Sequence, residues 1–163
     1  MIVLGIDPGI AIVGYGALQY EKNQFRVLDY GVIRTDAKLT YPERLEIIHK
    51  GISQLLDLYG IERVAMEELF FKNNVTTGIV VAQARGVIAL AVQQKKLPLY
   101  EYTPLQVKQG VCGYGKADKI QIQEMVRLLL HLKERPRPDD AADALAVAIS
   151  HCHSSRFQEI FRA

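Results

Sequence analysis

The pattern of hydrophobic and polar residues divides the chain into ten predicted elements. Short apolar runs bounded by polar or glycine-rich turns predict strands, whereas apolar residues that recur every three or four positions predict helices. The predicted strands are residues 1–7, 13–21, 25–35, 62–68 and 97–102. The predicted helices are residues 41–60, 75–95, 103–111, 118–132 and 139–153.

This order of elements predicts an α/β fold with a mixed five-stranded sheet and helices on both faces. The first three strands can form an antiparallel meander, and the later strands can pair in parallel through right-handed crossovers. No linker divides the chain, so we expect residues 1–153 to form one domain. Residues 154–163 are expected to form a short, partly disordered tail.

The helix predicted at 75–95 differs from the others because it is apolar almost all round. Its hydrophobic residues include Val75, Ile79, Ile88 and Leu90, which do not lie on a single face. A helix of this kind lies either at the centre of a protein or against a partner. We expect it to pack against its symmetry mate in a two-fold dimer.

Composition and charge narrow the class only slightly. The 163 residues are 49% hydrophobic and 23% charged, with a net charge of +2, and no run reaches the roughly 18 apolar residues of a membrane span. Residues 1–84 carry a charge of −2 and residues 85–163 carry +4, so the second half is the better candidate for holding an acidic ligand. With no signal peptide at the start and no CxxC spacing at Cys112 or Cys152, a cytoplasmic location with free thiols is expected.

The stretch GIDPGIAIVGYG, residues 5–16, raises the first question of chemistry. It ends a buried strand with Asp7 and then places several glycines close together. A turn would explain the Pro-Gly pair and a phosphate-binding loop would explain the glycines, but a metal site would explain the aspartate. The related phosphate-binding turn of the actin and sugar-kinase superfamily needs a duplicated domain, for which 163 residues leave no room. A metal ligand is therefore favoured.

Further carboxylates end other elements. Glu67 and Glu68 end the fourth strand, and Asp139, Asp140 and Asp143 open the last helix, where Asp140 and Asp143 share a face. Helix-start preferences alone could explain the aspartates. Carboxylates from three elements at one sheet edge instead predict a site for Mg²⁺ or Mn²⁺, and two such ions are the usual device for attacking a phosphodiester.

With these motifs in place, the chain resembles the RuvC family of Holliday-junction resolvases. The matching blocks are GIDPG and GYG within 5–16, AMEELF at 65–70, QARGV at 83–87, QVKQGV at 106–111 and DAADALAVAISHCH at 140–153. The resemblance implies an RNase H-like fold and a homodimer that cuts two opposed strands of a four-way DNA junction with Mg²⁺. It also implies RuvA and RuvB as branch-migration partners.

The resemblance also implies individual site residues. Asp7, Glu67, Asp140 and Asp143 match the family's catalytic carboxylates and metal ligands, which selects Glu67 over Glu68 and leaves Asp139 outside the set. Lys108 and Lys119 match basic residues near the scissile phosphate, and Phe70 matches an aromatic residue that meets the DNA bases. Lys116, in the glycine-rich loop, is a further candidate for contact with the DNA backbone.

Two other functions remain open at this stage. One is an RNase H-like nuclease that acts on a different substrate, such as an RNA precursor. The other is a junction-binding protein with a degenerate site, which the four carboxylates oppose.

Overall fold

The computed structural model describes residues 1–68 and 75–161, with side chains described up to residue 155. The strands are β1 (Ile2–Asp7), β2 (Ile12–Glu21), β3 (Gln24–Arg34), β4 (Arg63–Glu67) and β5 (Leu99–Tyr102). The helices are α1 (Tyr41–Leu58), α2 (Val75–Gln94), α3 (Pro104–Cys112), α4 (Lys119–Leu129) and α5 (Asp139–Phe161).

The five strands form one mixed sheet in the order β3-β2-β1-β4-β5. The meander β1-β2-β3 is antiparallel, whereas β4 pairs in parallel with both β1 and β5. Both parallel connections run through a helix, as crossovers require. The predicted mixed sheet is therefore confirmed.

Helices cover both faces of the sheet, as predicted. Leu4 and Ile6 of β1 face α1 and α2, where they pack in one core with Ile52 and Ile88. Val3, on the other face, packs in a second core with residues of α3, α4 and α5. The alternation of side chains along β1 thus divides the core into two layers.

Glycines allow the N-terminal half of α5 to lie directly on the sheet. A Cβ atom at Gly5 would overlap the main-chain carbonyl of Ala144, and one at Gly14 would overlap that of Asp140. Both glycines face α5, in the middle of β1 and near the start of β2. The glycines of the opening motif therefore serve close packing of a helix onto the sheet.

The predicted end of the last helix is wrong. The sequence predicts a helix to 153 followed by a tail, but α5 continues to Phe161. The two serines at 154 and 155 suggest a break, yet no glycine or proline follows them to stop the helix. Ser155 donates its hydroxyl to the carbonyl of Cys152, within the helix, at 3.0 Å. The prediction for α4 has the opposite error. The predicted helix runs to residue 132, whereas α4 ends at Leu129 and His131 takes a left-handed conformation.

Helix α2 leaves much of its apolar surface uncovered. Val75, Ile79 and Leu90 are exposed, and 28% of its most apolar 18-residue window is buried. By length and composition alone it is the single helix in 1–68 and 75–161 that could cross a membrane. One such helix is weak evidence for a span, because helices buried in soluble proteins pass the same test.

Candidate active site

The parallel pairing of β1 with β4 brings two of the predicted carboxylates together. Ile6 pairs with Met66, so the next residues, Asp7 and Glu67, lie side by side at the ends of their strands. Both continue the alternation that directs Val3 and Ala65 into the core beneath α5. Glu68 comes after the strand, one position out of this alternation. The register therefore gives a physical reason for choosing Glu67 over Glu68.

The other two carboxylates arrive on α5. Gly14 pairs with Asp7 across the antiparallel ladder and touches the main chain of Asp140. The first turns of α5 are thereby placed over the ends of β1 and β4. Asp143, one turn further along, lines a cavity together with Glu67.

The carboxylates are close enough to oppose one another's ionisation. Burial is the largest cause that raises the pKa of Asp7, to about 8, followed by the charges of Asp143, Glu67 and Asp140. Burial, then the charge of Asp143, also raises the pKa of Glu67, while Arg85 and Lys108 act in the opposite direction. Burial likewise raises the pKa of Asp143. The site thus concentrates negative charge that a cation would stabilise.

The chemistry of this group of side chains fits hard divalent cations, which prefer carboxylate oxygens and retained water. Among the side chains described, those of residues 1–68 and 75–155, no three His, Cys, Asp or Glu are gathered tightly enough to hold one ion between them. The four carboxylates come into electrostatic range of one another from β1, β4 and α5. They bring together the kind of oxygen ligand that a hard cation prefers, without forming a closed set of ligands in this structure.

Two of the predicted lysines stand beside these carboxylates. Lys108 on α3 and Lys119 at the start of α4 line the same cavity of about 250 Å³ as Glu67 and Asp143. Lys119 forms an ion pair with Asp139, with 3.1 Å between Nζ and Oδ2. This pairing holds the pKa of Asp139 below its usual range and raises that of Lys119. Asp139 is therefore the ion-pair partner of Lys119 in this structure.

The remaining predicted contacts are more scattered. Lys116 is exposed in the loop between α3 and α4 and does not line that cavity. Phe70, the predicted base contact, lies outside the described residues. His151 is buried two turns from Asp143, where its Nδ1 lies 2.6 Å from the hydroxyl of Tyr102.

Arg85 is a further residue beside the site, and the sequence pattern does not single it out. It contacts the main-chain carbonyl of Glu67 from α2, on the face of the sheet opposite α5. The signal in the sequence is that Arg85 is the single charge in an otherwise apolar helix. A charge in such a position is equally well explained as an interruption of the apolar run.

The strand order, together with carboxylates from β1, β4 and the last helix at one edge, defines an RNase H-like fold. The solved structure of a yeast mitochondrial Holliday junction resolvase, Ydc2, shares this fold at 14% identity, with a TM-score of 0.73 over 98% of this chain and 81% of that one.

Sequence comparison identifies the family. The family model described as crossover junction endodeoxyribonuclease RuvC matches residues 3–151. A relative of that name from Clostridioides difficile is 56% identical over 99% of this chain and 96% of its own length. One from Alkaliphilus metalliredigens is 54% identical over 99% of both. The chain belongs to the RuvC family of endodeoxyribonucleases.

The solved structures agree with this assignment. The structure of Thermus thermophilus RuvC is 38% identical, with a TM-score of 0.92 over 97% of both chains. A second structure of that protein, in complex with a Holliday junction substrate, has a TM-score of 0.93 over 97% of this chain and 96% of that one. The predicted RNase H-like fold and the predicted family are both confirmed.

Proposed function

We propose that this protein resolves four-way DNA junctions by metal-dependent hydrolysis of phosphodiester bonds, in homologous recombination and DNA repair. The observation that carries the proposal is the convergence of Asp7, Glu67 and Asp143 from three elements beside two lysines. The similarity to a resolvase seen with its junction substrate supports the choice of substrate.

In this proposal Asp7, Glu67, Asp140 and Asp143 would hold two Mg²⁺ ions, which Mn²⁺ could replace. Two such ions, when bound, activate the attacking water and stabilise the leaving oxygen. The protein's part is to present carboxylate oxygens from a rigid strand edge and one helix turn. Because the pKa of Asp7 is raised to about 8, binding of a cation near neutral pH must also displace a proton from this acid.

Lys108 and Lys119 would stabilise the charge that develops on the scissile phosphate. Both lysines line the cavity that Glu67 and Asp143 also line, on the side formed by α3 and α4. A positioned cation helps most when charge builds up on the phosphoryl oxygens. Lys116 would contact the DNA backbone at the edge of this site, and Phe70 would contact the bases at the crossover.

The exposed apolar face of α2 would form the interface of a homodimer. Ile79 and Leu90 are about half exposed, at 52% and 51%, and a Cβ at Gly86 would meet nothing within 4 Å. Gly86 lies on the same side of the helix and would let two copies approach closely. The partnership with RuvA and RuvB and the cytoplasmic location rest on family resemblance and general sequence features.

Cleavage assays on three substrates would test the function. We expect Mg²⁺-dependent paired incision of a mobile four-way junction, with little cleavage of a linear duplex or an RNA–DNA hybrid. Cleavage of the hybrid instead would indicate a different RNase H-like nuclease. Junction binding without incision in Mg²⁺ or Mn²⁺ would indicate a binding protein and would contradict the proposal.

A further inference from the structure

Arg85 is the single charged residue in the sequence of α2. Its side chain is only 12% exposed, although the helix around it carries a broad solvent-facing surface. A guanidinium group that is largely removed from water is costly unless it is fully paired. Its partners therefore indicate what the residue does.

Both partners of Arg85 lie at the ends of neighbouring strands. Nη1 donates to the main-chain carbonyl of Glu67 on β4, and Nη2 lies 2.5 Å from Oε1 of Glu101 on β5. Glu101 pairs with Met66 in the parallel ladder, one position before the last pair, Glu67 with Tyr102. One side chain thus joins the two strands where their pairing ends.

Position matters here because strand ends have fewer neighbours than strand centres. The carboxylate of Glu67 points towards α5, whereas Arg85 binds the main chain of the same residue from the α2 side. A main chain free to rotate at residue 67 would move the carboxylate relative to Asp7 and Asp143. The guanidinium of Arg85, which contacts both Glu67 and Glu101, is placed to restrain that rotation.

We propose that Arg85 is a positioning residue, which fixes the main chain at Glu67 so that its carboxylate is held ready to bind a metal ion. The inference rests on the proposed metal role of Glu67. Direct contact between Arg85 and a DNA phosphate is disfavoured, because both ends of the guanidinium are engaged and little of it reaches solvent.

The test compares metal binding by variants of Arg85 with that by a matched control. Arg85→Gln removes the fork, and Arg85→Lys keeps one donor. Lys95→Gln is the control, because Lys95 follows the same helix and pairs with Asp57 at 2.8 Å, away from the carboxylates. Binding of Mn²⁺ alone is measured by electron paramagnetic resonance, beside junction binding in EDTA and the Mg²⁺ dependence of cleavage.

We expect Arg85→Gln to weaken Mn²⁺ binding by roughly tenfold, the size found when groups that orient metal ligands are removed. The Mg²⁺ needed for half-maximal cleavage should rise in parallel, while junction affinity in EDTA and the rate at saturating Mg²⁺ change little. Arg85→Lys should recover part of the loss, and Lys95→Gln should match the parent. Unchanged Mn²⁺ binding in Arg85→Gln, or an equal loss in Lys95→Gln, would overturn the proposal.

A milder variant covers the case in which Arg85→Gln does not fold. Glu101→Gln keeps the shape of the partner and can still accept a hydrogen bond, so we expect a smaller loss of Mn²⁺ affinity in the same direction. No loss in a folded Glu101→Gln would then count against the positioning role. If Glu67→Gln itself binds Mn²⁺ like the parent, the proposed metal site has failed, irrespective of Arg85.

Discussion

At the scale of single residues, strand register gives the two adjacent glutamates different positions. Glu67 lies beside Asp7 in the parallel ladder, whereas Glu68 follows the last paired residue and donates its main-chain N–H to Tyr102. We expect Glu67→Gln to lower junction cleavage by at least about a hundredfold, the scale of a lost catalytic group, and Glu68→Gln to lower it by less than tenfold. Single-turnover cleavage at saturating Mg²⁺ measures both. Equal losses would mean that the strand ends in a different register.

Asp7 is expected to make the stability of the metal-free protein depend on pH. Its pKa is about 8 in the folded protein against an ordinary value of 3.8, so the folded state binds this proton more tightly than the unfolded chain does. The free energy of unfolding of the metal-free protein should therefore fall as pH rises from about 4 to about 8. Asp7→Asn removes this loss.

Melting curves without metal test the sign of this effect. Asp7→Asn should melt close to the parent at pH 4 or below and roughly 5 °C or more above it at pH 8, while its junction cleavage is abolished. Junction binding should stay within a few-fold of the parent. A variant that melts below the parent at pH 8, or that cleaves at saturating Mg²⁺, would contradict the assignment.

Substitution of the two lysines should change the rate of cleavage much more than the affinity for the junction. Lys108→Ala and Lys119→Ala should each slow single-turnover cleavage roughly tenfold to a thousandfold, as for one electrostatic donor, with much smaller changes in junction affinity in Ca²⁺. Asp139→Asn removes the carboxylate partner of Lys119. Because Lys119 is expected to act mainly on catalysis, junction affinity of this variant should also stay within about fivefold of the parent, the scale of an exposed pair. If affinity falls as far as the rate in the alanine variants, the lysines are anchors for DNA.

The sequence predicted the carboxylates because each ends an apolar run or opens a helix, and those positions are visible without a structure. The choice between Glu67 and Glu68 needed family resemblance, since two adjacent carboxylates give the same pattern at a strand end. Arg85 could not be predicted, because its contacts join α2 to strands eighteen residues away in one direction and sixteen in the other. Long-range pairing of this kind leaves only the charge within an apolar helix as a local signal, and that charge does not show which residues it contacts.

At the scale of elements, the glycines of β1 and β2 determine how closely α5 approaches the sheet. Gly14 pairs with Asp7 and lies against the main chain of Asp140. A methyl group there meets main-chain atoms, which cannot rotate away as a long side chain would.

We expect Gly14→Ala to displace the start of α5 and so to weaken Mn²⁺ binding and cleavage by at least about tenfold, comparable to the loss of an orienting group. Gly86→Ala is the control, since a Cβ at Gly86 meets open space within the chain. Any effect of this substitution on the proposed dimer should leave metal binding unchanged. Wild-type metal binding by Gly14→Ala would mean that α5 reaches the site without this contact.

The starts of helices were predictable wherever the sequence contains an N-capping motif. Thr40, Thr103 and Asp118 each form a capping box with the residue three positions later, and the predicted helices begin within a residue of these caps. The end of α5 has no such signal, which is why the predicted helix stopped eight residues early. Propensity alone does not mark where a helix ends when neither glycine nor proline follows.

At the scale of the whole molecule, α2 stands out because it combines an apolar composition with an uncovered face. Exposed Leu58 at the end of α1 is isolated by comparison, whereas Val75, Ile79 and Leu90 recur along one helix together with Gly86. Paired incision of opposed strands requires two sites in one assembly. A two-fold contact along α2 would bury this exposed apolar face and would also bring a second active site into the assembly.

The dimer can be tested without disturbing either active site. Ile79→Glu places a charge on the exposed face of α2, so the monomer should fold as before, but burial of that carboxylate should weaken the dimer about a hundredfold or more. Sedimentation at micromolar concentration should show a dimer for the parent and for the control Leu58→Glu, and a monomer for Ile79→Glu. The monomeric variant should nick one strand of a junction instead of cutting two strands together. Paired cuts by a protein that sediments as a monomer would exclude the α2 dimer as the source of paired incision.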